Sequence, residues 1–441
     1  MPTHDRSRTV VAKRMVAGMG QPRSLLDRSA IGPLVGMIRG SSPFLCAAVL
    51  VAGCAAPAAQ ETPRLSATPP ADATTASPTP APSPMLSPSP AIEPATGWSH
   101  VADLGEGGGG WDVATSVARG RDAFVALGAR VERAPEVIFT QPREYLWVSD
   151  DGLTWEEVPM DPEFVGARFI DVIATADGGF VVFGVGQLTA LGWRSDDGRN
   201  WEPIDTTLGP DHMVEQVVRG ARGYLLKAYH NPSSDRSLWH STDGLSWGEV
   251  QHFPARSAVV GAIGAGDEGF VATGSRLGPD GLFSPMVFAS ADGLTWLEAP
   301  QSFGLTAETT CFAPVMTPFG GDWIAVIALL DASATVWSSA NGLDWESVGS
   351  IANLGTTPCE PLALTYAGGR LLLSPSVAFH SLSSVVWSST DGRAWEPWEP
   401  GADAAVIAAI DSPAGSVAVG AAVRGADASL ASFWFSPASA P

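Results

Sequence analysis

Ser149-Asp150-Asp151-Gly152-Leu153-Thr154-Trp155 is the first of six copies of one pattern, and that pattern decides the fold. The later copies place the same residue types at Ser195, Asp197, Gly198 and Trp201, then at Ser241, Asp243, Gly244 and Trp247. Next come Ser290, Asp292, Gly293 and Trp296, then Ser339, Asn341, Gly342 and Trp345, and finally Ser389, Asp391, Gly392 and Trp395. From Trp to Trp the intervals are 46, 46, 49, 49 and 50 residues. A period of that size marks one supersecondary unit repeated along the chain.

Each copy lies in a β-hairpin. An apolar, aromatic-bearing run precedes the Ser, as in Tyr145-Leu146-Trp147, Leu238-Trp239 and Val386-Trp387. The Asp-Gly or Asn-Gly that follows is a strong hairpin-turn signal, because Gly tolerates positive φ and Asp or Asn caps the turn. The Trp then opens a second short strand, as in Trp201-Glu202-Pro203-Ile204. Upstream, Gly178-Gly179 leads into the apolar run Phe180-Val181-Val182-Phe183, and Phe169-Ile170-Asp171-Val172-Ile173-Ala174 precedes it. That makes four short strands per unit and no amphipathic helix between them. The expected class is all-β, a single β-propeller of four-stranded blades.

The two ends of the repeat region complement each other. The last unit runs from Ala404 through Gly415-Ser416-Val417 to Phe433-Trp434-Phe435-Ser436 and stops before a fourth strand. At the other end, Gly97-Trp98-Ser99-His100-Val101 reads as a fourth strand with no hairpin before it. Pairing the two closes the ring and removes two open sheet edges. Counting Trp98 with the six repeated Trp residues gives seven blades. Six or eight follow if the long first unit, 57 residues from Trp98 to Trp155, is divided differently.

Ser-x-Asp-x-Gly-x-Thr-Trp is the Asp-box, or BNR repeat, and from Trp98 onward the chain resembles the sialidase-like propellers that carry it. Here the Asp is followed directly by Gly, one residue sooner than in the usual box, and Asn341 replaces the acid in the fifth copy. The resemblance implies a structural box on the turn between third and fourth strands, its Asp bonding turn backbone and its Trp packing between blades. Asx side chains and buried indoles suit those roles on chemical grounds alone. Sialidases of this family use an arginine triad, a Tyr–Glu nucleophile pair, an Asp acid/base and an early Phe/Tyr-Arg-Ile/Leu-Pro motif. That motif is absent between Trp98 and Arg133. Arg143-Glu144-Tyr145 brings the three residue types together, but on a strand just before a box; the other tyrosines are 224, 229 and 366. No carboxylate pair for glycoside hydrolysis stands out among so many acids.

Val51-Ala52-Gly53-Cys54 matches the bacterial lipobox, preceded by the apolar run Phe44-Leu45-Cys46-Ala47-Ala48-Val49-Leu50 and by Arg39. A basic n-region, a short h-region and a small-residue cleavage site make a signal peptide. The apolar run is too short to span a bilayer. Lipoprotein signals imply a diacylglyceryl group on Cys54 and cleavage before it. The organisation expected is a mis-assigned or untranslated leader over 1–36, a lipoprotein signal over 37–54, a Pro/Ala/Ser/Thr-rich tether over 55–96 and the propeller over 97–441. The tether's composition cannot bury a core. The address is the cell envelope, on the outer face of the cytoplasmic membrane or the cell surface, with the membrane met through Cys54.

The formal net charge is −21. Seven Lys/Arg and two Asp/Glu fall at or before Cys54, leaving 18 basic and 44 acidic residues and a net −26 beyond it. Such a surface repels nucleic acid and anionic lipid. Cys311 and Cys359 precede their own box Trp by 34 and 36 residues, so they occupy matching places in neighbouring units. An extracytoplasmic setting allows a disulfide between them. The seven histidines are scattered without ligand spacing, and no phosphate loop, nucleophile elbow or EF-hand loop is visible. No metal, cofactor or catalytic residue is therefore expected. Asp112, Asp171, Glu215 and Glu360 fall on first strands, where acids can line a central channel. Three functions fit these features: a monomeric surface-anchored binding or scaffold module for a protein or glycan, an exo-sialidase or other glycoside hydrolase, and an assembly factor for an envelope complex. The binding module is favoured, because it needs only the tether, the ring and variable loops.

Overall fold

The computed structural model describes residues 97–106, 110–132, 142–160, 164–231, 233, 235–250, 258–277, 283–300, 303, 314–356, 361–375, 385–398, 404–423 and 428–438. The expected leader, signal with Cys54 and tether, together with Cys311, Cys359 and Glu360, lie outside the described residues.

Among the described residues there is no α-helix; the chain forms short strands in sets of four. After β1 (Ser99–Leu104), the first set is β2 (Gly110–Arg119), β3 (Phe124–Glu132), β4 (Arg143–Ser149) and β5 (Glu156–Glu157). The second is β6 (Arg168–Ala174), β7 (Phe180–Gly186), β8 (Thr189–Ser195) and β9 (Glu202–Ile204). The third is β10 (His212–Gly220), β11 (Gly223–His230), β12 (Arg236–Ser241) and β13 (Gly248–Glu249). The fourth is β14 (Ala258–Gly266), β15 (Gly269–Leu277), β16 (Phe283–Ser290) and β17 (Leu297–Glu298). Then come β18 (Val315–Phe319), β19 (Asp322–Ala328), β20 (Ala334–Ser339) and β21 (Glu346–Ile351). The sixth holds β22 (Leu362–Ala367), β23 (Arg370–Pro375), β24 (Val386–Ser389) and β25 (Glu396–Trp398). The last holds β26 (Ala404–Ser412), β27 (Gly415–Val423) and β28 (Ser429–Pro437).

Five sets form separate four-stranded antiparallel sheets in sequence order. The first and last sets share an eight-stranded sheet, joined by the parallel pairing of Trp111 with Ser429. In that sheet β1 pairs antiparallel with β28, from Ser99 opposite Phe435 to Leu104 opposite Ala431. Each fourth strand is a short outer edge bearing Glu, as at Glu156, Glu249, Glu298 and Glu396. Charge on a short edge discourages pairing with another chain. Sets of antiparallel four-stranded sheets, each packed on the next, make a β-propeller.

The core is divided among the gaps between consecutive sets. Phe164, Phe169 and Trp193 of the second set pack on Leu127, Leu146 and Val148 of the first. Val271 and Val287 of the fourth set meet Trp323 and Trp345 of the fifth in the same way. Val417, Phe433 and Phe435 of the last set close on Phe124, Tyr145 and Trp155 of the first. Innermost strands touch their successors from β2 through β6, β10, β14, β18 and β22 to β26, and β26 touches β2.

A one-residue bulge interrupts several of these inner strands, between Ala114 and Ser116, Phe169 and Asp171, Val214 and Gln216, and Val406 and Ala408. The first residue past the bulge reaches the next inner strand. Ser116 donates to Asp171 Oδ1 at 2.6 Å, Asp171 Oδ2 accepts Val217 N at 3.1 Å, and Gln216 Oε1 accepts Ile263 N at 3.0 Å. Asp171 is therefore a half-buried strut between inner strands, with both carboxylate oxygens engaged.

Candidate functional site

The two ends of the strand sets differ. At one end lie the repeated turns, and each spans six residues between its flanking strands. At the other end the connections vary: two residues between β7 and β8, ten between β3 and β4, ten between β23 and β24 and sixteen between β17 and β18. Connections of variable length on a rigid scaffold are where binding groups are carried. The variable end is the candidate functional face.

The uniform end is explained by its hydrogen bonds. Ser195 Oγ accepts Gly198 N at 2.8 Å, and Asp197 Oδ1 accepts Arg199 N and Asn200 N, each at 2.8 Å. The same pattern holds at Ser149–Asp151, Ser241–Asp243, Ser290–Asp292 and Ser389–Asp391. Asn341 Oδ1 takes the N–H groups of Leu343 and Asp344, so the amide serves as well as the acid. Gly152 sits at φ 76°, and a Cβ there would meet Val417 Cγ2 at 2.8 Å, so both conformation and packing require glycine. The indole Nε1 of Trp155, Trp201, Trp296 and Trp345 donates to the turn Gly carbonyl, while Trp247 and Trp395 have a buried Nε1 with no partner. Trp155 lies 4.5 Å, centroid to centroid, from Phe433 of the neighbouring set.

Burial works against the Asp197 charge, but the Asn200 and Arg199 N–H groups outweigh it and hold the carboxyl down at about 2. Its contribution is therefore present above the ordinary Asp value and is lost as pH falls toward 2. Asp197→Ala should cost about 1 kcal/mol near neutrality, since the freed N–H groups face water, and should abolish that acid-side loss. Urea denaturation at several acid pH values checks both.

At the variable end, two polar groupings sit on inner strands. In the first set, Asp112 is fully buried and accepts Arg130 Nη1 at 2.8 Å. Arg143 pairs with Glu106 and lies over the Tyr145 ring, 5.1 Å from its centroid. Tyr145 is 1% exposed; burial pushes its hydroxyl up, and the Asp112 charge pushes it further. Glu144, next in chain, points to the other face of β4, where its Oε2 accepts Phe169 N at 3.1 Å. Its Oε1 is buried with no hydrogen-bond partner, and burial pushes the carboxyl up to about 8 against the Phe169 N–H and the Arg168 charge. Tyr145 and Glu144 are thus not a pair, and neither reaches solvent.

In the third set, Glu215 on the bulge of β10 accepts Arg236 Nε at 3.0 Å and Arg236 Nη2 at 3.1 Å. Lys227 Nζ lies 3.4 Å from Glu215 Oε2 and also donates to Gly261 O of the next inner strand. Burial pulls the Lys227 ammonium down, and Glu215 opposes that shift. Lys227 is the only lysine beyond Cys54, and it occupies a place that Leu127 and Phe183 fill in the first two sets. A buried acid with two cations satisfies itself; it is an inter-strand lock. Asp112 and Glu215 are therefore buried within their strand sets, and half-buried Asp171 ties its inner strand to the neighbours on either side. Their partners Arg130, Arg236 and Lys227 carried no sequence signal, because each is 18, 21 or 12 residues away and meets its acid only through strand register. Among the described residues, no group of three or more His, Cys, Asp or Glu is placed to hold a metal ion.

No family model matches this chain, and no curated protein matches it. Solved structures similar to it include a catalytically inactive virginiamycin B lyase from Staphylococcus aureus with quinupristin, at 12% identity and a TM-score of 0.45, covering 76% of this chain and 98% of that one. Trypanosoma rangeli sialidase is similar at 14% identity and a TM-score of 0.40, covering 73% of this chain and 54% of that one. A six-bladed fungal lectin, Aleuria aurantia lectin, is similar at 12% identity and a TM-score of 0.41, covering 66% of this chain and 94% of that one. At such identities the likeness bears on neither ligand nor reaction.

Proposed function

We propose that this chain is a lipid-anchored, extracytoplasmic propeller of seven four-stranded blades that binds a protein or glycan through its variable end. The observation that carries the reading is the contrast between six identical turns at one end and connections of two to sixteen residues at the other. Seven shared cores between consecutive sets, and β1 seated beside β28, support seven blades and closure by the N-terminal strand. The six turns act as structural Asp-boxes of the sialidase-like kind. Cys54 carries the lipid and becomes the first mature residue, and Cys311 and Cys359 join neighbouring blades. Palmitate labelling that disappears in Cys54→Ser supports the anchor; labelling that survives refutes it.

Hydrolysis is the weaker reading, since Tyr145, the tyrosine beside Asp112 and Glu144, is sealed among Asp112, Trp147 and Phe433. An assembly role differs from simple binding only in its partner. The discriminating experiment uses exposed apolar residues at the two ends: Val165 and Leu188 at the variable end, Leu153 and Leu294 in the turns. Crosslinking in the envelope and a glycan array should each be run with Val165→Asp/Leu188→Asp and with Leu153→Asp/Leu294→Asp. The first pair should lower capture of the ligand about tenfold and the second should leave it unchanged. The opposite pattern places binding on the box end, and turnover of a fluorogenic sialoside by folded protein ends the non-enzymatic reading.

A further inference from the structure

His212 opens β10 and His230 closes β11, and the two face each other across the antiparallel ladder. The bulge at Glu215 creates that pairing. Counting from Gly220 opposite Gly223, an unbroken ladder would set His212 against Asn231; the one-residue shift sets it against His230. The ring centroids are 4.8 Å apart with planes inclined at 48°, and Trp239 packs edge-on against His212 at 5.5 Å.

The hydrogen bonds orient both rings. His212 Nδ1 lies 3.1 Å from Pro210 O, and a carbonyl only accepts, so the proton is on Nδ1 and the lone pair on Nε2. His230 Nδ1 lies 2.9 Å from Ser233 Oγ. Asn231 N donates to Asp211 O and His230 N to Asp235 O, each at 2.8 Å, which pins the two segments that carry the rings. Neither Nε2 has a hydrogen-bond partner among the described residues. Metal-binding histidines are built in this way, one ring nitrogen tied to a protein oxygen and the other directed at the ion. With Zn–N bonds of about 2.0–2.1 Å, two imidazoles on one tetrahedral ion have centroids about 5 Å apart, close to the spacing here.

We infer that His212 Nε2 and His230 Nε2 form a two-histidine site for a divalent transition cation such as Zn2+, Ni2+ or Cu2+. Imidazole nitrogen suits these ions, and the net −26 of the chain beyond Cys54 raises their local concentration. Two protein ligands leave the other positions to water or to an oxygen of a bound partner. The site lies at the variable end, since it is made by the start of a first strand and the end of a second. It does not depend on the identity of any organic ligand.

The test is calorimetric titration of the full chain with ZnCl2 near neutral pH, repeated with CuCl2. One equivalent should bind, and His212→Gln and His230→Gln should each weaken that binding about tenfold or more, while His100→Gln on β1 leaves it unchanged. Wild-type protein needs no substitution to report the site: Zn2+ should protect His212 and His230 together from diethyl pyrocarbonate. Equal zinc affinity in wild type and both variants, or modification of either histidine at an unchanged rate with zinc present, overturns the assignment.

Discussion

Trp98→Ala should destabilise the protein by about 3–5 kcal/mol, the usual cost of emptying a buried indole site. Trp98 is 5% exposed and precedes β1, yet it packs with Ala367, Leu372 and Trp398 of the sixth set. Its ring meets Trp398 edge to face at 5.9 Å, and a Cβ on Gly368 would touch it at 2.9 Å. That is the position each repeated Trp takes against the set before it, as Trp155 does on Phe433 and Trp247 on Phe183. The substitution therefore removes packing and loosens the strand that covers the free edge of β28. Trp98→Phe should recover much of the loss, because Trp98 Nε1 is buried without a hydrogen-bond partner and phenylalanine has no such group to desolvate. Guanidinium unfolding of the three proteins decides the matter. A loss below about 1 kcal/mol in Trp98→Ala would mean that β1 is dispensable and that the ring reading of the two ends is wrong.

What could be read from the sequence was what a single hairpin determines. The turn Asp-Gly, the aromatic run before it and the Trp after it are all within eleven residues, so Tyr145 to Trp155 specifies its own local structure. The spare strand at Ser99 was legible for the same reason, since a missing fourth strand leaves a gap in a regular count. Cross-strand chemistry was not legible. Asp112 meets Arg130, and His212 meets His230, only because a bulge at Thr115 or Glu215 advances the register by one residue. Without the bulge every such pair would be one place out, and nothing in Ala114-Thr115-Ser116 announces it. First-strand acids look like channel groups on alternation alone, yet the same bulge turns Asp171 toward Ser116 and Val217.

Carboxyls held away from water have a consequence for stability, and Glu144 gives the larger effect. It is 7% exposed on β4, wedged between the first and second sets beside Phe169, and one carboxyl oxygen has no partner. Burial raises its carboxyl to about 8, while in the unfolded chain it titrates near the ordinary value of 4.5. The folded protein thus keeps a proton that the unfolded chain releases between those values. Stability must fall as pH rises through that window. Asp171, raised to about 6 by burial, acts in the same direction but finishes below that pH. The interval from about pH 6 to 8 therefore isolates Glu144, and the free energy of unfolding should drop there by about 2–3 kcal/mol. Glu144→Gln keeps an oxygen for the Phe169 N–H and removes the titration, so its stability should be flatter over the same interval. Denaturation curves collected in steps from pH 5 to 9 for both proteins give the answer. If wild type and Glu144→Gln decline in parallel between pH 6 and 8, then Glu144 is ionised in the folded protein, and water must reach the gap between β4 and β6 that now looks sealed.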